Sequence, residues 1–532
     1  MVAVLVVVAA ARLRLLNFPL ERDEGEYAYA GQLMLQGIPP YQLAYNMKFP
    51  GTYAAYAVIM ALFGQTPAGI HFGVLCLTTL TALMLFWLGK QILDGMAGVV
   101  AATTYTVMAA SPAMLGLAGH ATHFAAFFAT AGLCLMWKTR QNGGGLTVFA
   151  AGCLFGLAIL MKQHAAFIGL WAVVVFTVDR LRQPSLSVAN RLGPVAVLGA
   201  GLVLPFSLCC LMLWQAGVLG RFWFWTMDYA RQYESVVPLD QAPRLFWERL
   251  CRLAGADPLL WLVAVTGLGM VWFDGRLRPA RLWLLGFCLM SALTIIPGFY
   301  FRKHYFLLLL PAAALLTGCA ISGARWLWSQ GIKSPRFGDW PVWCYALMAS
   351  SSVLAKSGVW FVRAPVQVAR DTYGIDPLRE CELVASYIRD NSSPDAGVTV
   401  LGSEPAIYFL ARRHSATGYI YAYGLMEEKP FARRMQDEMI HEIESHPPEF
   451  IVYADNPLSW SRQPGSDLTI FHWWDSYRTN YTLVALADIL SPTNTVYVWG
   501  PQMVEHYGGG LHGSGLKVYQ RNAVANGPLK QP

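Results

Sequence analysis

Long apolar stretches without any acidic residue constrain this chain more than any other feature. No Asp or Glu occurs between Asp94 and Asp179, and none occurs between Asp274 and Asp339. The chain is 55% hydrophobic and 13% charged, whereas a soluble domain carries roughly 25% charged residues. This pattern excludes a disordered chain, a collagen and an ordinary soluble enzyme, and it indicates a membrane protein.

The apolar runs predict a polytopic α-helical membrane protein of about eleven spans, a count good to two either way. Several runs are shorter than the ~20 residues that a straight span requires. The two runs that meet at residues 161–164 can instead form one broken or re-entrant passage. The predicted spans lie near residues 1–18, 68–89, 95–111, 119–137, 146–161, 165–178, 192–214, 258–273, 282–297, 305–323 and 340–361.

The basic residues of the loops predict the orientation. If the first span runs from inside to outside, the inside loops hold 12 basic residues against four acids, as the positive-inside rule requires. The loop 19–67 and everything after about residue 365 then lie outside the cytoplasm. The net charge of +7 therefore reflects membrane topology, and we expect no nucleic-acid partner. The inside basic residues are Lys90, Lys138, Arg140, Arg180, Arg182, Arg191, Arg276, Arg278, Arg281, Arg325, Lys333 and Arg336.

The last third of the chain differs in composition, because 19 of the 32 acidic residues lie in 371–532. We predict a transmembrane domain over 1–365, with the outer loop 19–67, and a soluble extracytoplasmic α/β domain over 366–532. The Gly- and Asn-rich tail from Gln502 is expected to be loose. The predicted helices are 380–390 and 432–445, and the predicted strands are 398–401, 450–453 and 495–499.

Acidic residues cluster at the start of the outer loop, in the segment Glu21-Arg22-Asp23-Glu24-Gly25-Glu26. Mutual repulsion raises the pKa of at least one carboxyl in such a cluster, which suits a general base working near neutral pH. The alternative is that Asp23 caps the following helix, with Glu26 three residues later completing a capping box. The other outer acids of the membrane half are Asp228, Glu234, Asp240, Glu248 and Asp257.

Three basic positions suggest an anion site. Lys48 is the only basic residue between Arg22 and Lys90, and it either snorkels or binds an anion at the bilayer edge. Lys162 lies between two apolar runs, which indicates a functional lysine at membrane depth or a short outer turn. The run Arg302-Lys303-His304-Tyr305 lies outside, where the positive-inside rule disfavours cations, so we favour a phosphate clamp over an ordinary loop.

Two histidines open a predicted span. His120 and His123 could bind substrate or a metal, or they could simply pack inside the protein. Histidines three residues apart with no nearby acid are weak evidence for a metal site.

The combined motifs resemble those of the membrane glycosyltransferases of the C superfold that use polyprenyl-phosphate sugars. These include the protein O-mannosyltransferases and the transferase that adds aminoarabinose to lipid A. The Asp23-Glu24 pair followed by Tyr27 is similar to their first acidic motif, and Lys48-Phe49-Pro50 to their Lys-Pro segment. Looser matches are Met161-Lys162-Gln163 and the 302–305 run. The resemblance covers residues 1 to about 365 and is most specific in the first 65.

The chain departs from the aminoarabinose branch at two positions. That branch carries an acid at the outer end of a later helix, where this chain reads His120-Ala121-Thr122-His123, and an arginine where Glu26 stands. The metal site of that branch is therefore not carried over. We assign no metal ligand and no cofactor, and leave a divalent metal ion open.

The resemblance implies an inverting membrane glycosyltransferase that moves a sugar from a polyprenyl phosphate to an acceptor hydroxyl on the extracytoplasmic side. Asp23 is the implied general base, with Glu24 beside it. Lys48, with Arg302 and His304, is implied to stabilise the departing phosphate. The further residues assigned to donor or substrate binding are Tyr27, Lys162, Tyr305 and His123.

The sequence names neither the sugar nor the acceptor, which can be a protein, a lipid or a glycan. The expected partners are the lipid donor, this acceptor and membrane lipids, and the expected location is a bacterial inner (plasma) membrane. Two other classes remain, a lipid-linked sugar transporter or flippase and a non-catalytic envelope scaffold. A transporter needs basic groups along a path across the membrane, so candidate cations on one side favour an enzyme.

Overall fold

The computed structural model describes residues 1–142, 144–183, 187–233, 237–331 and 339–522. The inside cations Lys333 and Arg336 and the outer acid Glu234 lie outside these residues.

The chain divides into two compact units. The membrane unit consists of Met1–Asn17 and Met47–Ala364, and the sheet unit of Phe18–Asn46 and Pro365–Pro532. Residues 18–46, the first part of the predicted outer loop, thus cluster with the C-terminal residues.

Helices make up the described part of the membrane unit. A helix occupies each of the eleven predicted span positions, and an additional apolar helix, Gly51–Phe63, lies within the predicted outer loop. The α-helices are Val2–Arg14, Gly51–Phe63, Pro67–Ile92, Gly95–Ala109, Ala121–Asn142, Gly145–Met161, Ala166–Leu181, Val188–Gln215, Leu219–Trp223, Ala230–Tyr233, Ala242–Ala256, Pro258–Phe273, Arg281–Leu293, Leu310–Gly331 and Trp340–Ser357. Short 3-10 helices include Pro112–Met114, Gln163–Ala165, Gly275–Ala280, Pro297–Phe299 and Lys303–Leu308, and π-helical turns are Phe224–Tyr229 and Gly358–Val362.

Few of these helices are long enough to span a bilayer alone. Within the described ranges, four helices are long and apolar enough, and a fifth passage is possible where Ala242–Ala256 and Pro258–Phe273 join at 109°. The chain is therefore a helical membrane protein, while the number of eleven spans stays a prediction. The four are Pro67–Ile92, Gln163–Leu181, Val188–Gln215 and Leu310–Gln330.

The sheet unit is built on a five-stranded mixed sheet. The strands are β1 (Val398–Leu401), β2 (Phe450–Asp455), β3 (Tyr481–Ser491), β4 (Asn494–Trp499) and β5 (Ser514–Arg521). They lie in the order β1-β2-β5-β3-β4. β1 and β2 are parallel and are connected by a crossover that contains helix Pro430–Ser445, whereas the other pairs are antiparallel. The helices are Arg22–Leu35, Pro365–Tyr373, Leu378–Asp390, Ala406–Ala411, Pro430–Ser445, Pro457–Trp460, Thr469–Tyr477 and Pro501–His506, with 3-10 turns Tyr423–Met426 and Arg478–Asn480.

The expectation of a loose tail after Gln502 was wrong for residues 502–522, and residues 523–532 lie outside the described part of the chain. β5 is the central strand of the sheet, with β2 on one side and β3 on the other. Its apolar Leu516 and Val518 are fully buried. They alternate with more polar residues, so the period-2 signal of a strand was present in a segment whose glycines drew attention away from it.

Candidate functional site: an acidic helix and a cation–aromatic cluster

The acidic segment forms the first turn of helix Arg22–Leu35, here the acidic helix. Its N-cap is Glu21, whose side chain accepts a hydrogen bond from the Glu24 backbone N–H at 3.1 Å. The Glu24 carboxylate accepts from the Glu21 N–H at 3.3 Å, which completes a capping box. The alternative that Asp23 caps this helix with Glu26 was therefore wrong. The cap uses Glu24, whereas Asp23 has no part in it.

The acidic helix is anchored in the sheet unit through Arg22. The guanidinium pairs with Asp376 at 2.6 Å and with Glu404 at 3.1 Å, and it also donates to the hydroxyl of Tyr423. Burial raises the pKa of both Asp376 and Glu404, and the nearby Arg22 charge acts against that rise. A buried cation shared by two carboxylates fixes the position of the residue next to it in the chain, which is Asp23.

Close packing adds to this anchor. A Cβ on Gly25 would lie 2.6 Å from the backbone nitrogen of Ala406, so the acidic helix rests directly on helix Ala406–Ala411. One turn further on, the Tyr29 hydroxyl accepts from the Ser415 N–H at 2.8 Å. Tyr27, predicted to bind substrate, is buried with a 2% exposed side chain.

Asp23 differs from its acidic neighbours in exposure. Glu24 and Glu26 are completely buried, whereas Asp23 is half-buried. Its carboxylate accepts a hydrogen bond from the Tyr421 hydroxyl at 3.3 Å. Of the acids in the first turn, Asp23 is thus the one with both partial exposure and a fixed side-chain contact.

In the membrane unit, the candidate cations lie at a break between helices. Helix Gly145–Met161 ends at Lys162, which has extended dihedrals (φ −149°, ψ 119°), and a 3-10 turn leads into Ala166–Leu181. The Thr52 hydroxyl donates to the Met161 carbonyl at 2.9 Å, and the Gln163 amide donates to the Met47 carbonyl at 3.0 Å. These two bonds bring the half-buried residues Lys48 and Lys162 onto adjacent segments.

Aromatic and imidazole rings surround Lys162. Its ammonium lies 4.7 Å from the ring centroid of Tyr305, which also contacts the rings of His164 and His304 at 4.9 Å each. The His304 ring stacks on His120 with centroids 4.3 Å apart. We call Lys162, His164, His304, Tyr305 and His120 the cation–aromatic cluster. The face of a phenol ring such as that of Tyr305 attracts a nearby ammonium group.

Helix Gly51–Phe63 fixes this cluster from two sides. Besides the Thr52 bond to Met161, its Tyr56 hydroxyl donates to the Gly119 carbonyl at 2.7 Å, directly before His120. Gly51 contacts Leu160 so closely that a Cβ would lie 2.5 Å from its carbonyl oxygen. A helix absent from the predicted elements is therefore the one that positions the predicted lysines.

Two further residues predicted for the site, Arg302 and His123, lie outside the cation–aromatic cluster. Arg302 is exposed, with its guanidinium 5.2 Å from the Tyr300 ring centroid. His123 is completely buried in helix Ala121–Asn142, and it is His120 that stacks on His304.

Sequence reasoning missed Tyr421, Asp376 and Glu404, because contacts across more than 350 residues leave no local pattern. It also missed His164, although the run Lys162-Gln163-His164 was visible as a polar interruption between two apolar stretches.

Comparison with known proteins finds sequences and structures of membrane glycosyltransferases that are similar to this chain. A family model described as dolichyl-phosphate-mannose-protein mannosyltransferase matches residues 48–209. An undecaprenyl phosphate-alpha-4-amino-4-deoxy-L-arabinose arabinosyl transferase from Edwardsiella ictaluri (strain 93-146) is 28% identical over 289 residues, which are 51% of this chain and 50% of the relative. The chain thus spans about half the length of this curated relative.

Solved structures show the same fold. ArnT from Cupriavidus metallidurans bound to undecaprenyl phosphate matches with a TM-score of 0.57 and 16% identity, covering 99% of this chain and 98% of that one. The Archaeoglobus fulgidus oligosaccharyltransferase in complex with Zn and sulfate matches with a TM-score of 0.53 and 14% identity, covering 93% and 72%. The fold is that of the C-superfold membrane glycosyltransferases. The resemblance inferred from the sequence motifs is confirmed.

Proposed function

We propose that this protein is a membrane glycosyltransferase that moves a sugar from a polyprenyl phosphate to an acceptor hydroxyl, with inversion at the anomeric carbon. The observation that carries the proposal is the junction at Lys162. Two lysines on tied segments, next to imidazole and phenol rings at a helix break, suit the phosphate of a lipid carrier. An anion bound in such half-apolar surroundings is stabilised more than it would be in water.

Asp23 is the proposed general base. The carboxylate takes the proton of the acceptor hydroxyl while the acceptor oxygen forms a bond to the anomeric carbon. The bond from that carbon to the phosphate oxygen breaks on the opposite face, and polyprenyl phosphate leaves with the bonding electrons. Glu21 and Glu24 supply the cap, so the carboxylate at residue 23 is not needed for capping.

Lys48 and Lys162 are the proposed ligands of the departing phosphate, with His304 and Tyr305 beside them. Arg302, being exposed on the Tyr300 ring, is proposed to act in donor capture. Glu24 is proposed to contribute through the cap that holds the helix start. Tyr27 and His123 are still proposed to contribute to substrate binding. Because both side chains are buried, we propose that they support the residues that touch the substrate.

The donor class follows from the chemistry of similar proteins, whose descriptions name undecaprenyl phosphate and dolichyl-phosphate mannose. We propose no cofactor, and an assay with and without EDTA tests the open question of a divalent metal. The acceptor can be protein, lipid or glycan. The location we propose is a bacterial inner membrane, with residues 366–532 and the active site outside the cytoplasm, since the inside loops carry the basic residues.

The test follows the fate of a labelled sugar in proteoliposomes. Undecaprenyl phosphates carrying radiolabelled mannose or 4-amino-4-deoxy-L-arabinose are placed in the bilayer, and envelope fractions from cells lacking the protein supply acceptors. We expect the label to leave the lipid fraction and to appear on an acceptor for at least one of the two sugars. Protein-free liposomes are the control.

Two outcomes would overturn the proposal. Label that crosses the bilayer while it stays on the lipid would indicate a transporter. Label that stays on the lipid without crossing, for both sugars and all envelope fractions, would favour a non-catalytic scaffold.

A further inference from the structure

A tyrosine of the C-terminal part of the chain contacts the proposed base. Tyr421 lies between β1 and β2, just before the turn Tyr423–Met426, and donates its hydroxyl hydrogen to the Asp23 Oδ1 at 3.3 Å. Both residues belong to the sheet unit, although 398 positions separate them in the chain. The contact therefore depends on the fold of this unit and on no local sequence feature.

The position of Tyr421 is fixed by its neighbours. The Ala422 N–H donates to the Ser403 hydroxyl at 2.9 Å, directly after β1. The Tyr423 ring lies 5.5 Å from that of Tyr421, and its hydroxyl donates to the Leu458 carbonyl at 3.1 Å. The backbone and side-chain bonds of the two residues that follow Tyr421 thus hold it next to the acidic helix.

Asp23 is fixed just as firmly from the other side. Arg22 joins the helix start to Asp376 and Glu404, and Gly25 joins it to Ala406 by direct backbone contact. Tyr421 is held through Ser403, and Asp23 is held through Glu404 and Ala406. These three residues follow β1 closely, so one short segment sets the distance between the Tyr421 hydroxyl and the Asp23 carboxylate.

The ionisation state of Tyr421 makes it a donor. Burial raises the pKa of its hydroxyl well above the usual range, and the nearby carboxylates Asp23, Glu26 and Glu21 raise it further. The phenol thus keeps its proton at physiological pH and gives it to a hydrogen bond. A hydrogen bond of this kind favours the ionised form of the accepting carboxylate.

We propose that Tyr421 is a positioning residue for catalysis: its hydrogen bond to Oδ1 orients the Asp23 carboxylate so that Oδ2 takes the acceptor proton. This inference rests on the proposed function and extends it, because it gives the C-terminal domain a part in the reaction. Tyr421 itself neither gains nor loses a proton in the transfer step.

The charged groups around Asp23 influence how far its pKa changes when the hydrogen bond from Tyr421 is lost. Asp23 shares the helix start with Glu21, Glu24 and Glu26, and the Tyr373 hydroxyl faces Glu21, Glu24 and Asp23. The one cation of this helix start, Arg22, is bound to Asp376 and Glu404. Without the Tyr421 donor, the ionised Asp23 carboxylate loses a hydrogen bond that stabilises it among these acids, so we expect the pKa of its carboxyl to rise.

The test compares Tyr421→Phe with Tyr419→Phe in the full-length protein. Tyr419 is the matched control, because it lies two residues away, is buried, and donates to a different carboxylate, Glu438, at 2.8 Å. In the labelled-donor assay, Tyr421→Phe should lower kcat by about 10-fold, the scale for a hydrogen bond to a charged group. The donor KM should change less than about two-fold.

The pH profile gives a second readout that a structural role alone would not change. The base must be ionised, so activity falls as pH drops through its pKa. We expect Tyr421→Phe to move this acid limb toward higher pH by about half a unit to one unit, and Tyr419→Phe to leave it in place.

Each outcome decides a different question. If Tyr421→Phe matches the wild type while Asp23→Asn is inactive, the positioning role is wrong and the proposed function stands. Equal losses in both tyrosine variants without a pH shift would also overturn it, since they indicate general destabilisation. If Asp23→Asn retains full activity, the proposed base itself fails.

Discussion

Arg22 shows at the scale of a single residue how a charge beside a proposed catalytic group serves the fold. Its side chain is 12% exposed and is shared by Asp376 and Glu404. Burial raises the pKa of both carboxyls, and the nearby guanidinium favours their ionised forms. Removing one partner from such a group leaves uncompensated buried charge, which costs about 3–5 kcal/mol.

We therefore predict that Arg22→Met lowers the midpoint of thermal unfolding most strongly at high pH. Without the cation, the pKa values of Asp376 and Glu404 rise further above those of the unfolded chain. The folded state then binds more protons than the unfolded state between these values, so stability falls as pH rises. Unfolding midpoints in detergent at pH 5.5, 6.5 and 7.5 provide the measurement.

Arg433→Met is the matched control. Arg433 pairs with Asp437 on an exposed helix surface, where both side chains are more than half exposed, so about 0.5 kcal/mol or less is at stake. A loss in Arg22→Met that is constant or grows toward low pH would contradict the role assigned to the two carboxyls.

The residue scale also shows what the sequence could predict. The acidic segment and Lys48 stand out because charges are rare near the membrane. The cap was wrongly assigned because Glu21 and Glu24 have the same spacing as Asp23 and Glu26, so spacing alone does not decide between them. Tyr421 carries no signal, since only the folded sheet unit brings it to Asp23.

At the scale of elements, the break at Lys162 depends on helix Gly51–Phe63. The bonds Thr52–Met161 and Gln163–Met47 tie the two lysine-bearing segments together. Lysines that hold one phosphate from tied segments should not act independently, because losing either one displaces the ligand from the other.

We predict that Lys48→Ala and Lys162→Ala each lower kcat/KM for the lipid donor by about 10- to 100-fold. The double variant should lose less than the product of the two single losses. Steady-state kinetics with the labelled donor measure all three, and Lys90→Ala in the last turn of helix Pro67–Ile92 is the control that should stay within two-fold. Strictly multiplicative losses would indicate two separate anion sites.

The elements differ in how far the sequence predicted them. The structure has a helix at each apolar run that was predicted to span the membrane, because high hydropathy marks segments that are stable in lipid. Gly51–Phe63 was missed since its apolar run was assigned to an outer loop. β3 was missed although Val484–Ala487 is a buried apolar run, because a run this short fits a strand or a helix equally well.

At the scale of the whole molecule, the two units differ in their content of acidic residues. The membrane unit carries few acids, whereas the sheet unit collects them and includes residues 18–46 from the start of the chain. Composition predicts a boundary near residue 365, whereas the membership of residues 18–46 depends on tertiary contacts such as Arg22–Glu404.

Sidedness gives a prediction at this scale. A periplasmic reporter enzyme, such as an alkaline phosphatase, should be active when fused after Pro532 and inactive when fused after Arg182, because the inside loops carry the basic residues. Reporter activity per amount of fusion protein is the measurement. An inactive fusion after Pro532 and an active one after Arg182 would reverse the orientation and place the proposed site in the cytoplasm.

The most direct test of the central claim is sugar transfer by Asp23→Asn. Glu21 and Glu24 supply the cap, and an amide oxygen at residue 23 can still accept from Tyr421, so the variant should fold like the wild type. An amide does not take up the acceptor proton, however.

Transfer of labelled sugar from undecaprenyl phosphate is measured at equal amounts of folded protein, with Asp475→Asn on the exposed surface of helix Thr469–Tyr477 as the control. Turnover by Asp23→Asn should fall at least ~100-fold, while the unfolding midpoint and the control stay at wild-type values. Near-normal turnover by Asp23→Asn would contradict its role as the base.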